Sequence, residues 1–158
     1  MKKILLLAAL TATAPAMSSE LTFAPRHGFS NEGVSISSGY DDRDDEKARA
    51  MAMITTEASP MIGFLLVYMD KHACHNPGEE YSNAFRVEGQ TIQGDAICMD
   101  SEQDKNMFLV TAKTRQGAVF IIDQFKKKRQ VTVQIKGEEV KFSAMNFSKE
   151  FADRQSAL

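Results

Sequence analysis

The sequence predicts a mainly β domain with α, an antiparallel β-sandwich-like body carrying one internal and one C-terminal helix. Three observations lead there. Short apolar runs recur along the chain, each bounded by turn residues. Val131, Val133 and Ile135 alternate with Thr132, Gln134 and Lys136, the period-two pattern of a half-buried strand. Only two stretches carry the spacing of an amphipathic helix. The 158 residues suffice for one domain, and 43% apolar with 25% charged residues excludes wholesale disorder. A net charge of −2 argues against nucleic-acid binding through bulk electrostatics.

Residues 1–16 read as a cleaved signal peptide. Lys2 and Lys3 form a basic start, Ile4 to Leu10 an apolar stretch too short for a stable membrane anchor, and Ala14-Pro15-Ala16 the small-x-small site of a signal peptidase. The cut falls between Ala16 and Met17, and losing the two lysines makes the remaining chain more acidic. The expectation is Sec-type export in a Gram-negative bacterium to the periplasm or beyond, with no membrane insertion after cleavage. No Cys follows the small residues, which argues against a lipoprotein.

Residues 17–39 are rich in Ser and Gly and read as a flexible leader with one short strand at Val34-Ser35-Ile36; residues 40–158 read as a single globular domain. Gly39 to Glu46 reads as an acidic loop without the alternating ligands and central Gly of a calcium loop, a solvated turn with a cation or partner contact as the alternative. Lys47 to Thr56 fits two periods: its alanines and methionines favour helix, while Arg49, Met51, Met53 and Thr55 could line one face of a strand. Met61 to Met69 is apolar throughout, as expected of a central strand buried on both faces, with a short buried helix as the alternative. Ala84 to Glu88, Asp95 to Met99 and Asn106 to Lys113 read as further strands. Ala118, Ile121, Ile122 and Phe125 share one helix face, and Lys126 to Arg129 complement the negative end of that helix. Gly137-Glu138 is expected to turn the strand at Val131–Ile135 into a partner bearing Val140 and Phe142. Asn146 or Ser148 then caps a last helix with Phe147 and Phe151 four apart.

Cys74 and Cys98 are the only cysteines, and in an oxidising compartment an even pair reads as one disulfide. Closing the loop between them contributes about 3–4 kcal/mol on a chain-entropy argument. His72, Cys74 and His75 also sit within four residues, so a zinc or copper site is an alternative, with His27 or Asp70 as a distant fourth ligand. A reactive thiol is a third. No nucleophile elbow, His-Glu-x-x-His, phosphate loop or dinucleotide fingerprint is present. His75 near Asp70 or Glu79 reads as a surface histidine in a polar loop. Glu79-Glu80 and Glu138-Glu139 are adjacent pairs, whose side chains point apart on an extended chain. The expectation is therefore no catalytic residues, no enzyme and no cofactor.

The run Ala118-Val-Phe-Ile-Ile-Asp-Gln-Phe-Lys-Lys-Lys-Arg-Gln-Val-Thr-Val-Gln-Ile, followed by Val140-Lys-Phe-Ser-Ala-Met-Asn-Phe-Ser-Lys-Glu-Phe, resembles the end of exported VasI proteins, associated with type VI secretion, and of invasion-associated IalB proteins. Asn146 stands where that family has Gly, and Trp is absent. The resemblance spans residues 40–158 in spacing and residue class. It implies a disulfide-bearing β-sandwich that acts as an exported accessory protein and carries no catalytic residues. The function expected from the whole reading is non-catalytic binding of another envelope or secreted protein, through a sheet edge or the loop tied by Cys74 and Cys98. The alternatives are an inhibitor or immunity protein of an envelope enzyme, and a periplasmic metal-binding protein.

Overall fold

The computed structural model describes residues 21–55, 61–68, 80–100 and 106–156. Nine strands form one sheet: β1 (Thr22–His27), β2 (Val34–Tyr40), β3 (Glu46–Thr55), β4 (Met61–Tyr68), β5 (Glu80–Val87), β6 (Gln90–Asp100), β7 (Asn106–Ala112), β8 (Gln130–Ile135) and β9 (Glu138–Ser143). Helix α1 (Arg115–Lys127) joins β7 to β8, and α2 (Phe147–Ser156) follows β9. The strand order is β1-β2-β3-β4-β7-β6-β5-β8-β9, so the chain leaves β4, passes β7 and β6, and re-enters at β5. The mainly β body with one internal and one C-terminal helix is thus a single, nearly closed antiparallel sheet. What would be two faces of a sandwich are the inside and outside of one curled wall.

Closure has a geometric limit. All eight pairings along the nine strands are antiparallel, so β1 and β9 run in the same direction. An odd antiparallel sheet cannot close on itself without one parallel junction, whose slanted bonds are less stable per residue. Here β1 lies against β9 at a seam bridged by isolated bonds. Phe29 N donates to Met145 O at 2.8 Å, Ser35 Oγ to Ser143 O at 2.9 Å, and the Arg154 guanidinium to Asn31 O at 3.2 Å. The approach is so close that a Cβ on Gly28 would stand 2.5 Å from Met145 Cβ.

The core lies inside the curl. Phe29, Phe64, Phe125, Phe142 and Phe147 are all at most 2% exposed and meet ring to ring, with Phe29 edge-on to Phe125 and Phe147 at 5.5 and 5.0 Å. Each such ring contributes on the order of 2–3 kcal/mol of burial, and an edge-to-face pair about 1 kcal/mol more. Helices α1 and α2 supply Ile121, Phe125, Phe147 and Phe151 to this cluster. Opposite them the wall is made of small side chains: Ser35, Ser37 and Gly39 on β2, and Ala48, Ala50 and Ala52 on β3. The Phe23 ring covers Gly39, where a Cβ would lie 2.7 Å from it.

Those small residues explain two differences from the sequence reading. The stretch up to residue 39, expected as a loose leader, contributes β1 and β2 from Thr22 onward, because the rings need a close wall rather than a bulky one. The stretch from Lys47, open between helix and strand in the sequence, lies in strand β3 as far as Thr55, the last residue described there: the ladder to β2 and β4 outweighs the helix propensity of its alanines and methionines. β5 and β6 start earlier than their apolar runs, since Thr91, Gln93 and Asp95 point outward. The hairpin turn after β8 is Lys136-Gly137, both at positive φ (53° and 88°), one residue before the expected Gly-first turn. β4 is buried from Ile62 to Val67, as expected of a strand sheltered on both faces.

Candidate functional site

Cys98 sits on β6 opposite Phe108, faces the interior and is 1% exposed. Cys74, His72, His75, Asp70 and Glu79 lie outside the described residues, as do Ala16 and Met17. His27 ends β1, where its Nδ1 is 2.8 Å from Gly28 O. That is the end of the sheet that holds α1 and α2. At the other end of the sheet Tyr68 pairs with Ala48 and Asn106. Among the described residues no group of three or more His, Cys, Asp or Glu could hold a metal.

The acidic loop is the turn between β2 and β3. Slight burial pushes Asp41 up, but N–H groups of Arg43 and Asp45, with Lys47 nearby, outweigh it and hold the carboxyl below its usual value. These contacts are those of a self-bonded turn. Glu138 and Glu139 open β9 and take alternate sides. Tyr68, at the far end, has its phenol pushed well above the usual range by burial and by the charge of Glu138. Within the basic run, Lys127 pairs with Asp123 at 3.4 Å and Lys128 with Glu88, while Lys126 Nζ lies 5.0 Å over the Phe151 ring.

Two surface depressions flank α1, which begins where Thr114 Oγ1 accepts from Gly117 N at 3.1 Å. One, about 490 Å³, runs toward the start of β6 and is lined by neutral groups, chiefly Gln90, Gln93, Gln116 and Phe120. The other, about 620 Å³, lies between α1, α2 and the adjoining ends of β4 and β7. Its apolar lining is Met61, Ala118, Val119, Ile122 and Phe151; Val119 is 50% exposed. Cations stand around it: Lys113, bound to Asp95 at 3.1 Å, and Arg115 and Lys126 at opposite ends of α1. The one acid among its described lining residues, Asp123, already faces Lys127. Such a groove can seat apolar side chains and attract carboxylates; its described lining holds no pairing of nucleophile and base.

A third surface runs over the outside of the sheet. Ile36, Met51, Leu65, Leu109 and Ile97 fall in register across β2, β3, β4, β7 and β6, flanked by Met53, Val67, Met107 and Met99. Leu65 and Val67 are buried, at 8% and 9% exposure, and the other side chains of this row are half-buried.

The two sheet edges, expected as a docking surface, face one another at the β1–β9 seam. Helix periodicity in the sequence marks the buried face of α1 and not the groove beside it; Val119, off that face, is the sequence signal for the groove. No helix among the described residues is long and apolar enough to cross a membrane. Comparison with family models, curated proteins and solved structures finds no match.

Proposed function

We propose that this chain is an exported, non-catalytic binding protein that engages another envelope or secreted protein, with Cys74 and Cys98 joined in a disulfide. The observation that carries the reading is the groove between α1 and α2, with its half-exposed Val119 and the cations at either end. Apolar surface flanked by charge is the composition of a protein-contact site. The N-terminal pattern of residues 1–16 and the even cysteine count support export. The resemblance to VasI and IalB proteins points the same way. With the sheet edges turned toward each other, the groove replaces them as the expected contact surface.

The test is affinity capture from an envelope extract on immobilised wild-type chain and, in parallel, on Val119→Glu. A protein retained by the first and lost from the second supports the reading. Equal retention on both, or none on either, contradicts it. Thiol alkylation of the exported protein accompanies it: two reactive thiols without reductant would remove the disulfide from the proposal.

A further inference from the structure

We infer that the α1–α2 groove receives an amphipathic helix of the partner, with an acidic residue at each end of its apolar stripe. The inference rests on the binding reading above and names the chemistry that the same surface selects. It follows from the spacing of charges and apolar side chains on α1. Arg115, Val119, Ile122 and Lys126 stand at i, i+4, i+7 and i+11, along one side of the helix. Two cations thus bracket two apolar side chains over three turns, about 16 Å of helix rise.

Charge decides the sign of the partner. Lys113 is engaged by Asp95, and Asp123 by Lys127, so the groove's acid is already met by a cation outside it. Arg115 and Lys126 remain to face an incoming group, and Lys126 is steadied over the Phe151 ring. The first turn of α1 contains no acidic residue, so its positive dipole end adds to the pull of Arg115 on a carboxylate.

Length decides the shape. A helix laid along α1 repeats the spacing: acids at i and i+11 and apolar residues at i+4 and i+7 share one side, three turns long. An extended segment does not. Its same-face side chains fall at about 13 and 20 Å from the first, either side of the 16 Å between the cations. The groove's exposed apolar anchor, Val119, lies between the cations, as helix-in-groove recognition requires.

The experiment titrates the isotope-labelled chain with two synthetic helical peptides of sixteen or so residues. One has Glu eleven residues apart with Leu at the fourth and seventh positions between; the other has Lys in place of both Glu. The expected result is binding of the Glu peptide at least tenfold tighter than the Lys peptide, with amide shifts centred on Val119, Ile122 and Met61. Arg115→Glu with Lys126→Glu should reverse the preference. Val119→Ser, a surface change, should weaken both peptides and guards against misfolding of the charge variants. Equal binding of the two peptides, shifts elsewhere, or no binding by either overturns the inference. If neither peptide binds while Val119→Glu still abolishes capture of an envelope protein, the helical acidic chemistry is wrong and the binding reading stands.

Discussion

Replacing Gly28 with Ala should open the seam between β1 and β9. The added Cβ would lie 2.5 Å from Met145 Cβ and 2.6 Å from Met145 O, against an optimal carbon–carbon separation of about 3.5–4.0 Å. One contact is backbone, so rotation of a side chain cannot relieve it; the two segments must part by about 1 Å. Overpacking of this kind costs about 1–3 kcal/mol. The adjacent bond, Phe29 N to Met145 O at 2.8 Å, is then stretched, and a buried amide left unpaired costs about 1–3 kcal/mol more. The expected loss is about 2–6 kcal/mol, read by urea unfolding followed by circular dichroism. With a slope of about 2 kcal/mol per molar urea, the midpoint falls by about 1–3 M. Hydrogen exchange should quicken at Phe29 and along β1 before the centre of the sheet. A variant within about 0.5 kcal/mol of wild type would refute the claim that the seam is held by close backbone contact.

Other consequences concern single side chains. Burial raises the Glu88 carboxyl, but hydrogen bonds from Lys128 and from Thr132 N at 2.7 Å outweigh it and hold the group below its usual value. That stabilisation is complete above the unfolded pKa near ~4.3 and is lost as pH falls through the lower folded value. Glu88→Gln should therefore cost about 1–2 kcal/mol at neutral pH, and unfolding curves should show the gap narrowing below about pH 4. Ser37 Oγ is buried without a hydrogen-bond partner among the described residues, so Ser37→Ala should leave stability unchanged or raise it by up to about 1 kcal/mol; a clear loss in thermal melts would contradict this. Phe64→Ala removes a ring 1% exposed that packs on Phe85, Phe125 and Phe142, and should cost about 3–5 kcal/mol by the same denaturation assay. Thr114→Ala removes the N-cap of α1 and should cost about 1 kcal/mol, with a matching drop in helical ellipticity on warming.

Elements with a strong period were legible. The alternation of Val131, Val133 and Ile135 and the helix face of Ile121 and Phe125 each have one physical solution, and the structure adopts it; the apolar run at Met61 fits a buried strand or a short buried helix, and it is strand β4. Strands built from small or polar residues were not. β1 turns Phe23 inward and β2 turns Ser and Gly inward, a choice that makes sense only once Phe23 and the central rings are seen pressing on that wall. β3 was undecided because Ala and Met satisfy both periods; its pairing with β2 and β4 is information held in other strands. The outward apolar row from Ile36 to Ile97 was hidden for the same reason, since five strands must be ordered before it exists. The groove needed tertiary structure too: Arg115, Val119 and Lys126 are unremarkable along the chain, and become a site where α2 and the ends of β4 and β7 meet α1.

The most direct test of the account places a photo-crosslinking amino acid at Val119 in cells that make and export the protein, with the same residue at exposed Lys141 on β9 as the comparison. Irradiation should give one discrete protein adduct from position 119 and none from position 141. No adduct at 119, or the same adducts from both positions, would contradict a partner seated on the α1 groove.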